Sequence, residues 1–246
     1  MREERRMKLD IMKTEEIQRL EIQIDYADME IADSADENIH VEAEGIKEDC
    51  FSCGVTGETL RAAYRVRAAK LISIRKGNGP KIRLYLPAGL MFSEASVSCG
   101  AGDLNIRRKE FACGKLVLSV GAGNMRVEQV VVEQELRADI GAGKLELVSV
   151  KTRNMEVRCG VGEFLMRGDV AGSLRTNCGV GNCQIFLERR ESDYDYDISC
   201  ALGSVRVNEQ KISCIGSEHR HSGAGTIGTV TLECGIGEIS LETAGR

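Results

Sequence analysis

The sequence predicts an all-β protein, a single-domain solenoid built as a parallel β-helix-like stack of coils of about twenty residues. Three observations carry this reading. A short phrase of the form Cys/Ser-Gly-Ala/Val-Gly-x-apolar-x-apolar recurs along the second half of the chain, as in Cys159-Gly160-Val161-Gly162-Glu163-Phe164-Leu165-Met166. Apolar residues alternate with polar ones on both sides of each copy, the period of a half-buried strand rather than of a helix. Composition agrees: 27 glycines against 2 prolines, 42% hydrophobic residues but only 4% aromatic ones, and no tryptophan. Such a core has to be assembled from thin layers of Val, Ile, Leu, Met, Ala and Cys.

The first nineteen residues are charge-rich, and Met7 to Leu20 fits either a short helix or a strand. From Leu20 the alternation is clear in Leu20, Ile22 and Ile24, then Met29 and Ile31, then Ile39, Val41 and Ala43 across the acidic turn Asp33–Asn38. Residues 44–57 read as a loop carrying Cys50 and Cys53. Strand patterns resume at Leu60, Ala62 and Tyr64, and again at Ile72 and Ile74, which the turn Lys76–Pro80 joins to Ile82, Leu84 and Leu86. This divides the chain into a lead-in or cap (1–19), first coils with irregular loops (20–95) and regular coils (96–246) of one body.

The glycine pairs are Gly100 and Gly102, Gly121 and Gly123, Gly141 and Gly143, Gly160 and Gly162, Gly179 and Gly181, Gly223 and Gly225, and Gly235 and Gly237. A degenerate copy has Ala201 in place of its first glycine. Only the step from Gly223 to Gly235 falls well short of the common spacing. Apolar residues before each pair (Leu116, Leu118, Val120; Met155, Val157, Cys159) and after it (Leu104, Ile106; Phe164, Met166) are out of phase with one another. A bulge or corner at the glycines has to reconcile them, where positive φ or close backbone approach is tolerated. Stacked coils then bury a continuous core, and roughly eight to ten of them make a rod about 40–50 Å long. Right-handed coiling is expected from general precedent.

Ten cysteines need a physical account. Cys99, Cys159, Cys178, Cys200 and Cys234 occupy the repeat position held elsewhere by Val120 and Ile140, so they read as buried, reduced packing residues. Cys50-x-x-Cys53 lacks the helix N-terminus of a redox pair and the further ligands of a zinc site. His219 and His221 share one side of an extended segment, with Cys214 the nearest thiol in sequence. Glu191 to Asp197 alternates acids with tyrosines, a pattern that a carbohydrate-active enzyme could use, but that also suits an acidic outer face with Tyr196 in the core.

Other chemistries are excluded on pattern. Each Gly-x-Gly runs into a strand, whereas a dinucleotide fingerprint runs into a helix. A calcium roll needs an acid at a fixed phase, and Lys144 stands where Asp103 and Glu163 do. A net charge of −5 disfavours nucleic acid, no apolar run is long enough to span a membrane, and no secretory signal opens the chain.

The repeated phrase, with the alternation Ile22–Ile31 and the segment Lys81–Gly89, resembles the bacterial β-strand-repeat family named "putative adhesin", a domain of unknown function. The resemblance covers about residues 20–246. It implies a β-helix-like solenoid in bacteria and carries no catalytic residues to transfer. The expected function is a non-catalytic binding or scaffold module with no cofactor and no metal, whose partner is a protein or glycan, with self-association through the solenoid ends also open. A carbohydrate-active β-helix enzyme and a thiol- or metal-responsive module are the alternatives. Many thiols and no signal point to the cytoplasm, with the cell surface as the other location.

Overall fold

The structure is a computed structural model describing residues 6–11, 17–66, 79–212, 216–220 and 226–244. Its N-terminal part holds β1 (Arg6–Ile11), β2 (Arg19–Tyr26), β3 (Asp28–Asp33), β4 (Ile39–Glu44), β5 (Phe51–Thr56), β6 (Thr59–Tyr64) and β7 (Lys81–Leu86). The middle holds β8 (Phe92–Ala101), β9 (Asp103–Val120), β10 (Asn124–Ile140), β11 (Lys144–Cys159), β12 (Glu163–Val170), β13 (Ser173–Cys178) and β14 (Asn182–Leu187). The C-terminal part holds β15 (Tyr194–Cys200), β16 (Ser204–Val207), β17 (Gln210–Ile212), β18 (Gly216–Arg220), β19 (Gly228–Cys234) and β20 (Glu238–Thr243). Among the described residues the only helical pieces are single 3-10 turns at Glu48–Cys50 and Glu191–Asp193.

The strands stack as rungs, and each rung contributes one strand to each of two long parallel ladders. The first ladder runs β6, β2, β8, β9, β10, β11, β13, β19, β15. The second runs β7, β3, β9, β10, β11, β12, β14, β20, β16. The long strands β9, β10 and β11 serve both, their first halves in the second ladder and their last halves in the first. Between the halves they bend. Gln129 and Ser149 adopt left-handed φ (55° and 57°), the register slips beside them, and a short third side follows at Phe111–Cys113, Val130–Val132 and Val150–Thr152. The glycine pair makes the opposite corner, between the first-ladder strand and the second-ladder strand of each rung.

Spatial order departs from chain order at both ends. The chain adds β13–β14, skips one place to lay down β15–β16, and returns with β19–β20 into the gap. At the other end β2–β3 lie inside β6–β7 in the same manner. Antiparallel strands then cover the outer rungs: β4 on β7 and β1 on β4, β5 on β6, β17 on β16, and β18 on β15. Bare parallel edges would template association with other chains, and reversed, short cap strands blunt them.

The rung at Gly235 lies between those of Gly179 and Ala201, not at the end of the stack. One sequence expectation is corrected. Residues 44–57 are not a loop throughout, because Phe51–Thr56 pairs with β6. The copy at Gly223 and Gly225, the strand at Ile72 and Ile74, the residues Lys76–Asn78 and His221 lie outside the described residues. The ambiguous N-terminal segment forms a strand, β1, where it is described.

The predicted alternation is the core. Leu20, Ile22, Ile24, Met29 and Ile31 are buried, as are the repeat rows through Leu118, Ala138 and Val157 and through Leu104, Met125, Leu145 and Phe164. At the corner the phase is reconciled by close approach rather than by positive φ, which Gly102 alone of the described repeat glycines adopts (+106°). A Cβ on Gly162 would lie inside the van der Waals envelope of the Gly143 carbonyl oxygen, and one on Gly181 inside that of Gly162. The first glycine of each described pair is less confined: a Cβ on Gly160 would stand 3.0 Å from the Gly141 oxygen. That difference explains why the degenerate copy keeps Gly203 while carrying Ala201.

At the capped N-terminal end His40 bridges two carboxylates, its Nδ1 2.6 Å from Asp10 of β1 and its Nε2 2.8 Å from Asp36. These hydrogen bonds, Asp10's first and Asp36's second, raise the His40 pKa above the ordinary histidine value. The backbone N–H of Asn38 and then the His40 ring lower that of Asp36.

Two outcomes are expected. Gly162→Ala should cost about 1–3 kcal/mol by overpacking the corner, and Gly160→Ala clearly less, measured as urea midpoints; equal losses would contradict the close-approach account. The His40 contribution to β1 docking should be complete below the ordinary histidine pKa and lost as pH rises through the raised one. The Asp36 contribution is lost on acidification, so amide protection in β1 should be greatest in mildly acidic solution. His40→Gln should remove the alkaline limb of that profile.

Candidate binding surface

In the described corners the middle residue of Gly-x-Gly lies toward solvent. In the sequence Val161 shares phase with Cys159, yet Cys159 is buried and Val161 is 66% exposed. Backbone bonds between corresponding corners set the row: Val180 N–H donates to Gly160 O and Ile236 N–H to Gly179 O, both at 2.8 Å. Val180 (55%) and Ile236 (62%) therefore stand beside Val161 on adjacent rungs, with Leu202 on the rung beyond. Earlier rungs place only Ala101, Ala122 and Ala142 there. The result is a ridge of large aliphatic side chains over one half of the stack, rigidly spaced at about 4.8 Å.

The ridge borders the outer face of the second ladder, where a groove of about 600 Å³ opens over Val148, Leu165 and Phe186. The Arg167 guanidinium lies 4.2 Å above the Phe186 ring. Arg126 donates to Glu128 at 2.7 Å and also to Glu146, which together raise its pKa. Arg206 approaches Glu238 at 4.0 Å. Apolar side chains facing outward in a frame of paired charges suit a contact surface, with an apolar centre and a polar rim.

The structure places the cysteines singled out in the sequence as follows. Cys99, Cys159, Cys178, Cys200 and Cys234 are buried in the corner row, and the described cysteines are free of disulfides. Cys159, Cys178, Cys234 and Cys200 follow one another on consecutive rungs, while Val120 and Ile140 separate Cys99 from them. Four of the thiols donate to the carbonyl of the second glycine of their own corner, as Cys178 Sγ does to Gly181 O at 3.1 Å. Burial pushes Cys99 up to about 11 and Cys113 and Cys234 up to about 12. Cys183, which sequence reasoning passed over, also lies in the core.

Cys53 sits in β5, and burial pushes its thiol up to about 11, the reverse of an activated redox cysteine. His219 falls in β18, paired in register with Asp197. Tyr196 is buried as expected, and so is Tyr194, whose hydroxyl donates to Val170 O at 2.6 Å. The two rings meet edge-on at 6.4 Å. The alternating run thus turns both tyrosines inward and its aspartates outward. The exposed corner residues were within reach of sequence reading, since Val, Val, Leu and Ile replace Ala at one repeat position.

In native protein a hydrophilic thiol reagent should leave Cys99, Cys159, Cys178, Cys200 and Cys234 unmodified. Peptide mapping should show them reacting together only once urea unfolds the stack. Rapid native labelling of this row would contradict its burial.

Comparison with known proteins agrees with the architecture. A "putative adhesin" from Parabacteroides distasonis is 13% identical, with 98% of each chain covered and a TM-score of 0.50. A "putative adhesin" from Bacteroides fragilis is 14% identical over 96% of this chain and 97% of that one, at 0.48. A "putative lipid binding protein" from Parabacteroides distasonis is 16% identical over 98% and 95%, at 0.47. At such identities the likeness concerns the fold alone. No curated protein matches the chain. The Toastrack DUF4097 pattern matches twice, over residues 17–133 and 88–228, two overlapping placements that reflect the internal repeat. The chain belongs to the Toastrack DUF4097 family.

Proposed function

We propose that this protein is a non-catalytic β-solenoid that binds another protein through the ridge and groove of its later rungs. The observation that carries the reading is the ridge itself. Val161, Val180 and Ile236 are each more than half exposed on adjacent rungs, and contiguous exposed apolar surface marks contact sites in soluble proteins. Aliphatic side chains favour a protein partner over a glycan, for which aromatic stacking faces would be expected. In the groove Arg126 pairs with Glu146 and Arg206 approaches Glu238, an arrangement that suits recognition more than acid–base chemistry. The buried thiol row fits a reducing compartment, and we place the protein in the cytoplasm. No helix among the described residues is long and apolar enough to cross a membrane.

The test is a triple variant, Val161→Asp, Val180→Asp and Ile236→Asp, which leaves the core untouched. A photo-reactive residue at Ser204, beside the ridge, should crosslink one defined protein in extracts of the source cells. The triple variant should lose that product while keeping its unfolding free energy within about 1 kcal/mol of the parent. Equal crosslinking by both proteins would overturn the assignment of the ridge. Selective retention on a glycan array would move the partner to a sugar, and turnover of a polysaccharide would overturn the non-catalytic reading.

A further inference from the structure

The thiols of Cys159, Cys178 and Cys183 converge. Their sulfurs all lie within 4.8 Å of one another, and all three residues are buried. Cys159 ends β11 and Cys178 ends β13, one rung apart in the first ladder. Cys183 is the second residue of β14, the second-ladder strand of the rung that carries Cys178, and pairs in register with Phe164 and Ile239. That register position holds Leu104, Met125, Leu145 and Phe164 on earlier rungs, so a third sulfur enters the core at the one corner where it meets two others.

We propose that these three cysteines form a binding site for one thiophilic monovalent ion, Cu(I). Among the described residues the cluster holds three sulfurs and no carboxylate or imidazole, a soft donor set that selects Cu(I) or zinc over hard ions. Structural zinc takes four ligands in a tetrahedron, whereas this cluster offers three sulfurs. Metal–sulfur bonds of about 2.3 Å set trigonal sulfurs about 4 Å apart, so a small closure of the cluster suffices. The site lies directly under the glycine corner: a Cβ on Gly181 would stand 2.8 Å from Cys159 Sγ. Val161 and Val180, both exposed, flank the corner outside.

Binding displaces thiol protons to solvent, so affinity for Cu(I) rises with pH.

The repeat supplies its own conservative substitutions, since Val120 fills the corner position of Cys178 and Val205 the position of Cys183. The experiment titrates the full-length protein anaerobically with Cu(I) against a chromophoric Cu(I) chelator. It uses a Cys50→Ser, Cys53→Ser, Cys214→Ser parent, which reduces the number of competing thiols. The parent should retain one ion per chain with a shell of three sulfurs by X-ray absorption. Cys183→Val and Cys178→Val should each weaken binding tenfold or more, and Cys99→Val, remote from the cluster, should leave it unchanged. The parent's melting temperature should rise with Cu(I), and that of either cluster variant should not. Equal retention by parent and cluster variants, no retention by the parent, or a shell containing nitrogen or oxygen would overturn the site. A four-ligand zinc complex formed in preference to copper would overturn the identity of the ion.

Discussion

The approach of one backbone to the next at the second glycine of each corner is the constraint on which the rest of the structure depends. Asn182 N–H reaches Gly162 O at 3.0 Å, and Glu163 N–H reaches Gly143 O at 2.9 Å. A side chain at either second glycine would occupy the space through which these bonds run. With glycine there, the corners stack directly, both ladders stay in register, and equivalent residues of successive rungs stand beside one another. Core rows, thiol row and exposed ridge are all consequences of that register.

Register has a cost on the outer faces, because a repeated charge would meet its own copy about 4.8 Å away. The chain answers by alternating sign along the stack. Arg137 meets Glu156 in register, and Glu156 meets Arg175. Asp139 meets Arg158, and Lys144 reaches Glu163 at 3.6 Å. Such exposed pairs contribute little singly; their role is to prevent the repulsion that a perfect repeat would create. The ridge escapes the problem by being apolar, which leaves it suited to a partner.

The ends of the stack impose a different demand. An elongated parallel ladder has two open edges, and both are managed by tucking a late or early rung inside and covering the outside with reversed strands. The consequence is long-range dependence: β15 and β16 cannot complete their parallel pairing until β19 and β20 arrive between them and β13–β14. Contacts of this separation close large loops before they contribute, a property of slow-folding β architectures.

The all-β stack, the glycine phase and nearly every core row were legible in the sequence alone, because strand burial has a period of two and each repeat states it again. Leu104, Met125, Leu145 and Phe164 announce their row without any knowledge of what lies above or below. What only the tertiary structure decided is of two kinds. Whether Val161 follows Cys159 inward or turns out depends on the backbone path through the corner, which alternation cannot specify once the strand ends. Which rung lies beside which is also silent, since the repeat that makes Cys234 fit next to Cys178 makes it fit equally well elsewhere. The meeting of Cys159, Cys178 and Cys183, and the joining of Val180 to Ile236 across more than fifty intervening residues, follow from stacking partners that local pattern leaves degenerate.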